Sequence, residues 1–251
     1  MGEPEPHRFE ARVIEEAANT IHDDDGAQRF GFTGALVPGV ELFARITTPL
    51  VAAWGEDWLS AGQVDVRFRR PVYDGEEVLV ELDDGRLTVT GPDGEVRAVG
   101  SASRTADRPD LSVFTHVPAA PRLLTDPSVG PIGSVDEHVS VEQNEWYLDA
   151  VGEPLALYRE HGWAHPAMLL KAVHRVLTRN VELGPWIHTV SDCRFLGVAR
   201  LPALITSHGR VVSVGRRGRH DEVVYDALVL ADGHPVLHTR HTALYRLDAA
   251  A

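Results

Sequence analysis

Apolar and polar residues follow two different periods along this chain, and the same succession of periods occurs twice. In the run HPAMLLKAVHRVLTRN, apolar residues recur three or four positions apart, which is typical of a helix with one buried face. The apolar stretch from Pro38 to Trp54 stands at the corresponding place in the first half. Behind each helix come segments such as EEVLVEL and DEVVYDALVLA, whose alternation predicts antiparallel strands with one buried face.

The two halves also match in their short motifs. DVRF at Asp65–Phe68 matches DCRF at Asp192–Phe195, and at that same offset Pro38–Gly39 falls on His165–Pro166. An internal repeat of this length predicts two copies of one supersecondary unit. Each copy reads as a central helix followed by three or four strands, so the predicted fold class is α+β, with two central helices each wrapped by an antiparallel sheet.

A segment rich in proline separates the copies. Residues 104–133 contain five prolines and show neither helical nor strand periodicity, which is typical of a linker. The predicted organisation is therefore an N-terminal unit over 1–103, a linker over 104–133 and a C-terminal unit over 134–251.

Charge and cysteine content exclude several classes of function. The net charge of −13 repels phosphate backbones and anionic lipid surfaces, so neither nucleic acid nor a membrane is an expected partner. A single cysteine, Cys193, allows no intramolecular disulfide and no cysteine-based metal cluster. The sequence has no signal peptide pattern and no apolar run long enough to span a bilayer, so a cytoplasmic location is expected.

The stretch NTIHDDDGAQRFGFTGALVPGVEL holds the candidate chemistry. His22 suits general acid–base work because its ordinary pKa lies near neutrality. Asn19 is a candidate orienting group, and Asp24 is a candidate contact of the substrate or of His22. Asp23 to Asp25 equally suit a solvated turn or a helix cap.

Several patterns together resemble the MaoC-like (R)-specific enoyl-CoA hydratase/dehydratase family, whose members are built from hotdog folds and often from two fused hotdogs. ANTIHDDDGAQRFGF resembles the family's catalytic loop, and LVPGVEL resembles the entry to its central helix. RFRRPVYDGEEV resembles its strand motif F-x-x-P-V-x-x-G-D. The resemblance implies a tandem hotdog that adds water to, or removes it from, an acyl thioester.

The resemblance also implies roles for particular residues. His22 would be the acid/base, Asn19 its orienter or a substrate contact, and the Gly39 N–H would hold the thioester oxyanion at the positive end of the helix dipole. Pro38 suits the first helical turn because its missing N–H would have no partner there. The substrate site is expected to include these further residues: Asp24, Phe32, Val37 and Pro38.

The catalytic loop departs from the family pattern and is degenerate. Ala17 stands five residues before His22, where the family has an acid. Glu16 is adjacent but projects about 100° away in a regular helix. In the second half, Val151 and Ala156 take the positions of the acid and the base, so that half is expected to be catalytically empty.

Two other functions remain open. Glu41 lies two residues into the helix, where hotdog thioesterases place a carboxylate, and an acid there also complements the helix dipole. The second alternative is a protein without catalytic activity, which is either an acyl-binding module or the inactive partner of another hotdog subunit. The expected ligand in each case is an acyl-CoA or acyl-carrier-protein thioester from fatty acid or polyketide metabolism, bound by a homodimer or heteromer.

No cofactor and no metal are expected. In HPVLHTRH, strand geometry directs His238 and His241 to opposite faces, which does not suit a shared metal ion. His165 is expected to be a structural cap or a pocket wall. Arg67 and Arg69 are expected on one face of their strand and Arg70 on the other, most simply as solvated side chains.

Overall fold

The computed structural model describes residues 2–14, 19–118 and 125–248. Ten strands within these ranges form one antiparallel sheet. The strands are β1 His7–Glu10, β2 Gln63–Phe68, β3 Glu77–Asp83, β4 Arg86–Thr90, β5 Val96–Ser103, β6 Gly130–Val139, β7 Ile187–Phe195, β8 Ala203–Arg217, β9 His220–Ala231 and β10 His234–Arg246. Their order across the sheet is β1-β3-β4-β5-β2-β7-β10-β9-β8-β6.

Five α-helices accompany the sheet in the described ranges. They are α1 Asp24–Arg29, α2 Gly39–Ala61, α3 Val141–Val151, α4 Leu157–His161 and α5 Pro166–Asn180, with a 3₁₀ turn at Thr20–His22. The second predicted helix matches α5. The first continues beyond the predicted end at Trp54, because the chain bends at Gly55 (φ +61°) and then resumes helical geometry to Ala61.

The predicted internal repeat is visible in the sheet. The first five strands occur in the order β1-β3-β4-β5-β2 and the last five in the order β6-β8-β9-β10-β7, read from each outer edge inward. The copies join where β2 pairs with β7, from Gln63 opposite Arg194 to Arg67 opposite Val190. Asp65 of DVRF stands directly opposite Asp192 of DCRF. The predicted α+β architecture is therefore confirmed, and the two antiparallel sheets are continuous through the β2–β7 pair.

One apolar core serves both halves. The central helices α2 and α5 contact each other and lie against the sheet, and their buried residues belong to a single cluster. Trp58 at the end of α2 is fully buried, lies 4.7 Å (ring centroids) from Phe195 of β7, and donates its indole N–H to the Ser103 carbonyl at 3.0 Å. A first-half helix is thus anchored on a second-half strand.

The predicted linker is partly structured. Its last residues, Gly130–Gly133, belong to β6 and pair with β8. Further upstream, Phe114 packs edge-on against His238, and the Val117 N–H donates to the Ser134 hydroxyl at 3.0 Å. The segment therefore begins on the first half, where the Ala106 N–H donates to the Ala61 carbonyl at 2.8 Å, and packs on the second half from Phe114 onward.

The tight approach of β5 to β2 gives a test of the central sheet. A Cβ at Gly100 would lie 1.9 Å from the Asp65 carbonyl oxygen, so Gly100→Ala forces backbone to move. We expect it to destabilise the protein by about 1–3 kcal/mol, as overpacking does. Urea unfolding measures this difference.

Gly184→Ala is the matched control, because nothing lies within 4 Å of its Cβ position. We expect its free energy of unfolding to stay within about 0.5 kcal/mol of the wild type. Equal stability of the two variants would contradict the close strand approach.

Candidate functional site

A cavity with a volume of about 580 Å³ lies between the two halves. The first half contributes the start of α2 and the end of β2, and the second half contributes α5 and the start of β7. Most of the predicted site residues line it: Asn19, His22, Phe32, Val37, Pro38, Gly39 and Glu41. Asp24 is not among the lining residues.

Two hydrogen bonds fix the His22 imidazole at the cavity wall. Its Nδ1 lies 2.7 Å from the Leu36 carbonyl oxygen, and because a carbonyl only accepts, this nitrogen carries the proton. The other nitrogen, Nε2, lies 3.3 Å from the Asn19 amide nitrogen, which donates to it. The Asn19 side chain is itself held by both backbone groups of Trp186, at 2.8 and 3.2 Å.

Burial also sets the charge of His22. Removal from water lowers the pKa of the imidazole below 6.5, its ordinary value, although the hydrogen bond to Leu36 and the charge of Asp23 act in the opposite direction. The ring is therefore neutral at pH 7, with a lone pair on Nε2. This is the protonation state of a general base.

The start of α2 offers backbone donors to the cavity. Pro38 precedes the helix in an extended conformation (φ −55°, ψ 135°), one residue before the first-turn position predicted for it, and no side chain caps the helix. The Gly39 and Val40 N–H groups have no intrahelical acceptor, whereas those of Glu41 and Leu42 donate to the Pro38 carbonyl at 2.9 and 3.2 Å. A Cβ at Gly39 would lie 2.7 Å from His188 Nδ1, so only glycine allows this close approach. Gly39 and His22 line the same cavity.

The acidic residues around His22 mostly shape the loop. Asp23 caps α1 by accepting from the Gly26 N–H at 2.6 Å, and Asp24 accepts from the Ala35 N–H at 2.8 Å. Asp24 is therefore a loop-fixing residue rather than the predicted substrate contact. Glu16, the alternative carboxylate, and Ala17 lie outside the described residues.

Glu41 lines the cavity but its carboxylate is already engaged. It accepts a hydrogen bond of 2.7 Å from the Tyr147 hydroxyl and forms an ion pair of 3.1 Å with the Lys171 ammonium. The lysine in turn lies 4.2 Å from the centre of the Tyr147 ring. Lys171 was assigned no role in the sequence analysis.

The equivalent position in the second half is closed. The His165 side chain caps α5 by accepting from the Ala167 N–H at 3.1 Å, as expected for a structural cap. Its Nε2 then donates to Glu153, which also accepts from the Thr48 hydroxyl at 2.8 Å. The side chains of His165 and Glu153 are both 0 % exposed. A first turn that is occupied in this way has fewer donors for a ligand than that of α2.

Arginines surround the cavity. Arg69 and Arg70 both line it, together with Arg175 and Arg217, whereas Arg67 does not. The predicted alternation of these side chains is wrong, because β2 ends at Phe68 and the next two N–H groups both donate to the Arg97 carbonyl. The resulting bulge directs the side chains of Arg69 and Arg70 toward the same cavity.

Sequence reasoning also missed three histidines at the base of the cavity. His174 of α5 and His188 of β7 line it, and His241 of β10 lies behind them. In the sequence, His241 stands beside His238, and strand alternation alone indicates no shared site for them. No sequence signal groups these three rings, because three distant elements supply them.

Comparison with known proteins identifies the fold. No protein-family profile matches the sequence, and no curated protein matches it significantly. A structure named as a MaoC domain protein dehydratase from Chloroflexus aurantiacus superposes with a TM-score of 0.63 at 12% identity, covering 98% of this chain and 96% of that chain. A conserved hypothetical protein with a double hotdog fold from Mycobacterium tuberculosis gives 0.64 at 13% identity, covering 97% and 96%.

Thioesterases share this architecture as well. A structure named as an oleoyl thioesterase from Lactobacillus plantarum gives a TM-score of 0.55 at 12% identity, covering 99% of this chain and 98% of that chain. The chain therefore has the double hotdog fold, as the sequence resemblance implied. No helix in the described ranges is long and apolar enough to cross a membrane.

The buried Glu153 site provides a test of the second half. Burial alone would raise the pKa of Glu153, but hydrogen bonds from His165, the Leu155 N–H and Thr48 outweigh it and hold the pKa below 4.5, its ordinary value. Glu153→Gln should therefore cost about 1.5–3 kcal/mol at pH 7, the range for hydrogen bonds to a charged group. Urea unfolding measures this difference.

The sign of the pH dependence follows from the lowered pKa. The contribution of Glu153 is complete above pH 4.5 and is lost as the pH falls through the lower, folded-state pKa. The stability difference between wild type and Glu153→Gln should shrink accordingly in acid. Glu160→Gln, at an exposed position of α4, is the control. A difference that grows toward low pH would contradict the assignment.

Proposed function

We propose that the chain is a hydratase or dehydratase acting on an acyl thioester, with His22 as its acid/base. The observation that carries this proposal is the convergence of His22 Nε2, oriented by Asn19, with the uncapped start of α2 in one cavity between the two halves. The comparisons add that dehydratases are among the proteins of this fold. Acyl-CoA and acyl-carrier-protein thioesters are the substrate class.

In the dehydration direction, the 3.3 Å hydrogen bond from Asn19 to His22 Nε2 opens when the substrate binds, and Nε2 removes a proton from C2 of a 3-hydroxyacyl thioester. The electron pair moves onto the carbonyl, and the Gly39 N–H stabilises the resulting oxyanion. The C3–O bond then breaks, and the hydroxyl leaves with the proton returned by His22 as water. Hydration is the reverse sequence. One imidazole handles both proton transfers here, because Ala17 replaces the acid of the related loops.

The arginines suit the carrier of such a substrate. CoA and phosphopantetheine bear phosphates, which the net charge of −13 repels at long range. Arg69, Arg70, Arg175 and Arg217 supply local positive charge at the cavity. Three of these charges are partly offset by ion pairs: Arg70 with Glu95 and Arg217 with Glu222, each at 2.5 Å, and Arg175 with Glu137.

A thioesterase using Glu41 is the second candidate. Glu41 lines the same cavity near the same backbone donors, and thioesterases are among the structures of this fold. Its hydrogen bond from Tyr147 and its ion pair with Lys171 favour a positioning role. Free CoA released from a saturated acyl-CoA, and lost in Glu41→Gln, would establish this candidate instead.

The principal test replaces the base. His22→Asn keeps an amide donor near the position of Nδ1 for the Leu36 carbonyl but has no basic nitrogen. We expect kcat/KM on a panel of enoyl- and 3-hydroxyacyl-CoA thioesters to fall by about 10²–10⁴-fold, as for loss of general acid–base assistance. His138→Gln, at an exposed position of β6, should retain full activity.

The pH profile of the wild type gives an independent readout of His22. Because burial lowers its pKa, the base is unprotonated down to below pH 6.5, and kcat/KM should be level above that pH and fall on its acid side. Full turnover by His22→Asn would exclude this residue as the base. Absence of turnover by the wild type would favour an acyl-binding module.

A second test concerns the carrier phosphate. Arg69→Ala should raise KM for a CoA thioester several-fold with little change in kcat, and the effect should diminish at high salt. Arg67→Ala is the matched control on the same strand, since Arg67 is exposed and does not line the cavity. Equal KM values for the two variants would place the phosphates elsewhere.

A further inference from the structure

Three imidazoles from three separate elements meet beneath the cavity. One ring nitrogen of each of His174, His188 and His241 lies within 4.8 Å of one from each of the others. The ring centroids are 4.3 to 5.1 Å apart. None of the three takes part in the reaction proposed above.

Ser191 lies between two of these rings. Its Oγ is 2.9 Å from His188 Nε2 and 2.8 Å from His241 Nδ1. A hydroxyl oxygen has two lone pairs, so it can accept an N–H from both rings. In that arrangement His188 Nδ1 and His241 Nε2 carry lone pairs instead of hydrogens.

Each ring also has one buried nitrogen without a hydrogen-bond partner among the described residues: His174 Nε2, His188 Nδ1 and His241 Nε2. The residues His188 and His241 are 6% and 0% exposed, and His174 is half-buried and lines the cavity. Buried polar atoms are normally satisfied, so three unsatisfied nitrogens in one cluster require an explanation. A bound ligand that accepts electron pairs would satisfy them.

The chemistry of the cluster suits a transition metal. Imidazole is a ligand for Zn²⁺, Cu²⁺, Ni²⁺ and iron, whereas Mg²⁺ and Ca²⁺ prefer oxygen. Three histidines with one open position form a known catalytic zinc geometry, and metal-bound histidines usually donate their second nitrogen to a nearby oxygen. Ser191 Oγ is such an oxygen.

We propose that His174, His188 and His241 bind one divalent transition metal ion, with Zn²⁺ as the favoured species. Its open position faces the cavity, because His174 and His188 line it, and accepts water or a substrate oxygen there. The site is independent of the proposed function, since binding requires no thioester and no role for His22.

Charge near the site is compatible with a cation. Lys171 and Arg175 flank His174 along α5, but Lys171 is paired with Glu41 and Arg175 with Glu137. The three ligands are neutral, so the bound ion keeps its positive charge. An anionic oxygen entering from the cavity, such as hydroxide or a carboxylate, would offset it.

The experiment is a metal titration of the full chain after treatment with a chelator. Co²⁺ serves as the first probe, because its visible absorption reports four-coordinate geometry, and Zn²⁺ is then titrated by calorimetry. We expect one ion per chain. His241→Asn and His174→Gln should each weaken binding by more than about 100-fold, and Ser191→Ala by about 10–100-fold, as for loss of an outer hydrogen-bond partner.

His238→Asn is the matched control, since it removes a histidine from the same strand three positions away and should bind the metal like the wild type. Circular dichroism checks that each variant is folded, and His174→Gln on the partly exposed helix face provides a second variant should His241→Asn fail to fold. No Co²⁺ or Zn²⁺ binding by the wild type, or equal binding by the histidine variants and the control, would overturn the proposal. The turnover assay tests the proposed function and the titration tests the metal site. Either result can be negative while the other is positive, so the two proposals are tested separately.

Discussion

The pairing of β2 with β7 is the interaction on which the rest of this structure depends. Five residue pairs, from Gln63–Arg194 to Arg67–Val190, join two five-stranded sheets into one. Backbone hydrogen bonds at this seam remove two sheet edges that would otherwise be exposed. The same seam brings α2 and α5 side by side and encloses the cavity between their halves. The rings of His188 and His241 belong to β7 and its other neighbour, so the seam sets their distance from α2 as well.

The two helix starts show how one fold holds two different local chemistries. At α2 the preceding residue is Pro38, which has no side-chain acceptor, and the backbone donors remain available to the cavity. At α5 the preceding residue is His165, whose ring fills that role and is in turn fixed by Glu153. The difference lies in one residue at an equivalent position and in the buried acid that supports it. This is why the site is proposed in the first half.

Local patterns predicted the fold and part of the site. The periods of the apolar residues predict the helices and strands, because these elements depend on neighbouring residues and on which side chains are buried. The matching DVRF and DCRF motifs predict that the set of elements occurs twice. Asn19 and His22 are three positions apart, so a short turn suffices to bring them together. The apolar stretch predicted a helix that ends at Trp54, whereas α2 continues to Ala61. Gly55 adopts a non-helical backbone conformation there, and the helix resumes after it.

The remainder of the site depends on contacts between distant segments. His174, His188 and His241 lie on three elements, and their proximity follows from strand order rather than from spacing in the chain. The shared orientation of Arg69 and Arg70 follows from a bulge opposite Arg97, which strand alternation does not predict. Lys171 of α5 contacts Glu41 of α2 in the first half and Tyr147 of α3 in the second half, so its place at the cavity depends on tertiary contacts.

The position of Asp65 directly opposite Asp192 has a consequence for how such a protein can change. Equivalent residues face each other across the seam as they do across the two-fold axis of a symmetric dimer. In a dimer of identical chains, every substitution appears at both helix starts, so closing one ligand site closes the other. In a single chain that contains both copies, each copy mutates alone. One copy can therefore take a purely structural role while the start of the central helix in the other copy stays accessible from the cavity.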